Sequence, residues 1–93
     1  MTVEVEVEVC NEKGIHAYPS SLIVRLASQF ESDISLHNLK SRSSVDAKSI
    51  LEVMMINAPC GTPLLITAVG ADEEEAVQAV ADLVQRGFDE KKD

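Results

Sequence analysis

One histidine sits where its chemistry would count. In the stretch Gly14-Ile15-His16-Ala17-Tyr18-Pro19-Ser20-Ser21, His16 falls between two patterned runs. Thr2 to Cys10 reads as a strand, and Ser20 to Phe30 reads as an amphipathic helix. Gly14 frees the backbone to turn, and Pro19 is tolerated only in a helix's first turn, so the helix is expected to begin about here. His16 then lies beside a helix N-terminus, where unpaired N–H groups and the macrodipole favour an anion. A neutral imidazole nitrogen is a nucleophile near neutral pH, so in that position it suits a phosphoryl acceptor. The ~−2 charge of the product would rest on the N–H groups of Ala17 and Tyr18. Without that chemistry, His16 is a surface histidine at a helix cap. A residue before proline resists the α conformation, so local rules alone put the cap at Tyr18.

Other groups offer less. Ser49-Ile50-Leu51-Glu52 has the S-x-x-E form of a capping box, which explains Ser49 as the start of a short helix. Glu4, Glu6 and Glu8 read as a solvated face, since paired carboxylates for acid–base work need a pocket and a perturbed pKa. Cys10 and Cys60 are too few for a disulfide framework and form no CxxC, so they read as two reduced small hydrophobes. With His16 and His37 they have no zinc-ligand spacing, and no metal site is expected. A stand-alone enzyme is disfavoured as well. There is no Ser-His-Asp-type order and no glycine-rich nucleotide loop, and no cofactor is implied.

The elements that must position His16 follow from periodicity. Val3, Val5, Val7 and Val9 alternate with Glu4, Glu6 and Glu8, the mark of a strand with one buried and one wet face. The helix after His16 should bury Leu22, Ile23, Leu26, Ala27 and Phe30, with Arg25 and Gln29 outside. Asp33 to Asn38 alternates again, and Ser41 to Val45 suits a short edge strand. Ala47 to Ile56 is apolar on nearly every side. A short helix cannot hide all of it, so Ile50, Leu51 and Met54 are expected at the surface as a partner site. Thr62 to Val69 is a continuous apolar run, consistent with a central strand. Asp72 should cap a last helix with Glu73, Glu74 and Glu75 in its first turn and Ala76, Val80, Leu83 and Val84 buried, stopped by Gly87. Phe88 to Asp93 reads as a charged tail. One domain over residues 1–88 is expected, with 89–93 outside it.

The order is β-α-β-β-α-β-α. The fold class is therefore α+β: a two-layer open-faced sandwich, with a four-stranded antiparallel sheet and three helices on one face. At 93 residues with no Trp, one Tyr and two Phe, the core must be aliphatic. A net charge of −8 argues against nucleic acid and anionic membranes, though not against basic protein partners. No apolar run approaches the ~20 residues that span a bilayer, and the Val/Glu alternation is no signal peptide. The cytoplasm is the expected compartment.

The element order, Gly-Ile-His-x-x-Pro at the first helix and Ala47-Lys48-Ser49-Ile50 at the second resemble the HPr family. These are the small histidine phosphocarriers of the bacterial phosphoenolpyruvate-dependent phosphotransferase system. The resemblance runs from Val3 to about Val84. It implies that His16 takes a phosphoryl group from Enzyme I and hands it to sugar-specific phosphotransferase components. It also implies that Ser49 is the site of a regulatory kinase and phosphorylase, and that Ile50, Leu51 and Met54 form the docking patch of a monomer. The last strand should lie between the first two, and the first helix should start at His16 rather than at Tyr18. One position departs from the family: its usual Arg, two residues after the histidine, is Tyr18 here, and a phenol supplies one donor but no charge. Arg25 lies nine residues past His16, roughly 13 Å along a helix. Lys13 is the nearer cation, which gives the phosphate site as Lys13, Ala17 and Tyr18. The alternative implied is a regulatory adaptor that keeps the fold and the Ser49 switch but transfers weakly or not at all through His16.

Overall fold

The computed structural model describes residues 2–89. Four strands and three helices alternate as β1 (Val3–Glu8), α1 (Ala17–Ala27), β2 (Asp33–Asn38), β3 (Ser43–Asp46), α2 (Ile50–Met54), β4 (Pro63–Val69) and α3 (Glu73–Gln85). A 3-10 turn over Gly87–Asp89 follows. The sheet runs β1-β4-β2-β3, with every neighbouring pair antiparallel. β4 is therefore central, as its unbroken apolar pattern requires, and Ile66 stands opposite both Val5 and Leu36.

Period two sorts each strand between core and water. Val7 and Val9, Ile34 and Leu36, and Leu64, Ile66 and Ala68 are buried beneath the helices. Glu4, Glu6 and Glu8 lie exposed on the other face. His37 belongs to that bare face, where Nδ1 meets Ser44 Oγ at 2.7 Å and Nε2 meets Thr67 Oγ1 at 3.0 Å. Both ring nitrogens are thereby used in cross-strand bonds, a structural role for this imidazole.

Two expectations about the last third of the chain need correction. Asp72 occupies the N-cap position of α3 but makes no side-chain bond to that helix. Its carboxylate instead accepts from the Ser32 hydroxyl at 2.5 Å and from the Glu31 and Ser32 amides at 2.9 Å each. It thus ties the start of α3 to the loop after α1. The Ser32 hydroxyl, with the Glu31 amide next, holds this carboxyl below the ordinary carboxylate range. A lowered folded-state value stabilises the fold above the unfolded carboxyl's pKa, and the contribution is lost as pH falls through the lowered one. The second correction is Phe88. It is fully buried rather than part of a tail, because Gly87 (φ 70), Phe88 (φ 59) and Asp89 (φ 58) turn the chain back left-handed after α3. Residues 90–93 of the expected tail lie outside the described residues.

Candidate functional site

α1 begins at Ala17, three residues before the start read from the apolar pattern, and His16 is its N-cap with an extended backbone (φ −120, ψ −160). Tyr18 is helical although it precedes Pro19. The local bias against that conformation is outweighed by the Ser20 amide, which donates to His16 O at 3.0 Å and closes the first turn. Full burial of Ile23 and Ala27 on the sheet adds to it, whereas Leu22, Leu26 and Phe30 are only half-buried. The His16 side chain does not cap its own helix. Ala17 and Tyr18, at the first two helical positions, have no helical carbonyl for their N–H groups, and Pro19 has no N–H to offer. Both residues are exposed, Tyr18 to 53%. No acidic residue occupies this first turn, in contrast to α3, where Glu73, Glu74 and Glu75 already neutralise the positive end.

The loop carrying His16 is held from two sides. Asn11, itself buried, donates from Nδ2 to Gly14 O at 2.7 Å, and the Gly14 amide donates to Asn11 O at 3.1 Å. The Ile15 amide donates to Ala58 O at 2.9 Å, and the Ile15 side chain is buried. Gly14 has φ +67, and a Cβ there would lie 2.5 Å from Ala58 O and 2.7 Å from Pro59 Cα. Only glycine lets the two backbones approach this closely. Replacing Gly14 with alanine should cost about 2 kcal/mol or more, from αL strain plus backbone overlap. Urea unfolding measures it, and a variant as stable as the parent would show the approach to be unimportant. Lys13 sits exposed on the same turn.

Ser20 is a different kind of residue. It is fully buried and its Oγ has no hydrogen-bond partner. Ser20→Ala should therefore raise stability by about 1 kcal/mol, since an unsatisfied buried hydroxyl costs its desolvation. A loss of stability in thermal or urea unfolding would contradict this reading.

α2 lies antiparallel beside α1. At one end Lys48 Nζ donates to Phe30 O at 2.8 Å, just past the C-terminus of α1. At the other, the chain after α2 meets the His16 loop through Ala58. Asn38 Nδ2 donates to Ile56 O at 3.3 Å and to Asn57 O at 3.4 Å, fixing that exit. Ser49 is the N-cap of α2, and its Oγ accepts from the Glu52 amide at 3.4 Å. The expected capping box is only half formed, because Glu52 Oε1 accepts from the Asp46 amide instead. Ile50 (40%), Leu51 (73%) and Met54 (49%) are exposed, as expected for a partner surface, and Met55 at 78% joins them. Met55 was missed because the helix ends one residue before it. Nothing in the apolar run marked that stop.

Both cysteines are free thiols, and both are exposed. Cys10 Sγ donates to Val84 O and Gln85 O at 3.4 Å each. Among the described residues no group of His, Cys, Asp or Glu is placed to hold a metal ion, and no helix is long and apolar enough to cross a membrane.

The fold and this loop define a class: open-faced α+β domains that present a histidine at the positive pole of a helix. A family model described as the PTS HPr component phosphorylation site matches residues 3–86. The chain belongs to the HPr family of phosphotransferase-system phosphocarriers. It is 42% identical over 85 residues to the phosphocarrier protein HPr of Treponema pallidum, covering 91% of this chain and 94% of that protein. It is 34% identical over 90 residues to the phosphocarrier protein NPr of Escherichia coli, covering 97% and 99%. Among solved structures, HPr-C-His from Thermoanaerobacter tengcongensis superposes with a TM-score of 0.88 at 39% identity, covering 97% of this chain and 99% of that one. Both the family and the sandwich architecture read from the sequence are thus shown.

Proposed function

We propose that His16 is the phosphoryl acceptor of this phosphocarrier. It takes the group from Enzyme I, charged by phosphoenolpyruvate, and donates it to sugar-specific components. The lone pair of a ring nitrogen attacks phosphorus, and the bond to the donor breaks as the P–N bond forms. The observation that carries this reading is the first turn of α1. Ala17 and Tyr18, both exposed residues, begin the helix immediately after His16, at a positive pole with no carboxylate in that turn. Lys13 adds positive charge from the preceding turn. The exposed side chains of Ile50, Leu51, Met54 and Met55 alongside α1 support their role as the docking patch. Ser49, at the head of that patch, is the proposed regulatory phosphorylation site. A phosphate there is tolerated at an N-cap but sets negative charge beside Ile50 and Leu51. Docking to acidic partners would weaken accordingly.

Incubation with phosphoenolpyruvate and Enzyme I should yield an acid-labile, alkali-stable phosphoprotein. The second reading, a regulatory adaptor, is favoured by Tyr18 alone. It would be correct if label appeared only with ATP and a kinase, at Ser49, and none with Enzyme I.

A further inference from the structure

Taking His16 as the acceptor, as proposed above, we propose that Arg86 supplies the positive charge that Tyr18 lacks, reaching the phosphoryl group from the C-terminal end of α3. The inference rests on where α3 ends. Cys10 Sγ bonds the Val84 and Gln85 carbonyls, and a Cβ on Gly87 would lie 3.6 Å from Asn11 Cβ. Asn11 is the residue that clamps Gly14 O, so the end of α3 abuts the root of the His16 loop. Arg86 is the C-cap residue at that end.

Its side chain faces the right helix. An open groove of about 440 Å³ is lined by Tyr18, Leu22 and Arg25 from α1 and by Leu83, Arg86 and Asp89 from the other wall. Tyr18, two residues after His16, is the lining residue of α1 nearest to it along the chain. Arg86 therefore lines the same groove as the residue that stands where the family places its arginine. Arg25 lines the same groove but is attached more than one further turn along α1.

Arg86 is also held ready. Its Nε donates to Asp89 Oδ1 at 3.1 Å in an ion pair whose side chains are 51% and 62% exposed. A pair so exposed contributes little, so giving it up costs little. A dianionic phosphoryl group offers more charge and matches the planar guanidinium fork, and it outcompetes a single carboxylate. The arrangement keeps the cation parked while His16 is unphosphorylated and releases it when the phosphoryl group arrives.

The test is the rate of phosphoryl acceptance from Enzyme I and phosphoenolpyruvate, with each variant's urea midpoint as the folding control. Arg86→Gln should slow acceptance about tenfold at an unchanged midpoint, and Arg86→Lys should recover part of the loss. Tyr18→Arg should restore the Arg86→Gln variant to near the parent rate. In the parent, the Arg86 Nε–H resonance should shift on phosphorylation. A parent that takes up no label would refute the His16 reading itself. A parent that labels normally while Arg86→Gln transfers at the same rate would overturn the role of Arg86 alone. So would Lys13→Gln being the slow variant, or Tyr18→Arg speeding both backgrounds equally.

Discussion

A His16→Ala variant should fold normally and take up no acid-labile phosphate from Enzyme I and phosphoenolpyruvate. The stability side follows from the cap geometry. N-cap residues lose about 0.5–2 kcal/mol on change to alanine when their side chains bond the first turn, and the His16 ring makes no such bond. The variant should lose no cap bond, and its urea midpoint is the control that marks a loss of transfer as chemical. The chemical side is complete loss, because His37 is the chain's only other imidazole and both its ring nitrogens are engaged on the bare sheet face. Radiolabel transfer followed by acid treatment measures it. Retained acid-labile label in the folded variant would place the acceptor elsewhere.

The largest effect on stability is expected at Phe88. Phe88→Ala should cost about 3–5 kcal/mol, the range for truncating a fully buried aromatic side chain. The surroundings argue for the upper part of that range. Phe88 is among the largest fully buried side chains of an aliphatic core, and Val80, Val84 and Ile23 of the same core are fully buried as well. The left-handed backbone at Gly87, Phe88 and Asp89 is tolerated only because it delivers this ring. Removing the ring leaves strain with nothing to offset it, and should loosen Arg86 and Asp89 at the same turn. Urea denaturation gives the number, and a cost below about 1 kcal/mol would mean the ring is dispensable.

Phe88 also shows where the sequence stops being legible. An isolated aromatic followed by Asp-Glu-Lys-Lys-Asp carries no period, so local reading sends it to solvent. Its burial depends on the positive-φ turn that follows α3, which Gly87 announces only as a helix stop. By contrast, β1 and β4 could be read outright. The Val/Glu alternation permits a single core face, and the unbroken run at Leu64–Ile66 demands a central strand. The place of His16 between β1 and α1 was legible as well. Gly14 and Pro19 bracket it with two independent backbone constraints, and the structure satisfies both. The start of α1 at His16 follows from the family resemblance and not from local rules, because the rule for residues before proline is a local bias of the kind that tertiary packing overrides. Asp72 was misread in the same way: a carboxylate at an N-cap position found stronger donors forty residues away in sequence. Met55 and Arg86 gave no sequence signal, since each matters through what the fold sets beside it.

The account stands on the first-turn amides of α1 holding the group that His16 receives. Phosphorylating uniformly 15N-labelled protein and recording amide shifts tests that directly. The Ala17 and Tyr18 N–H resonances should make the largest moves in the spectrum, alongside a phosphoramidate phosphorus signal on the His16 ring. A phosphorylated protein in which those two amides stay in place, or in which the phosphorus signal maps to another side chain, would contradict it.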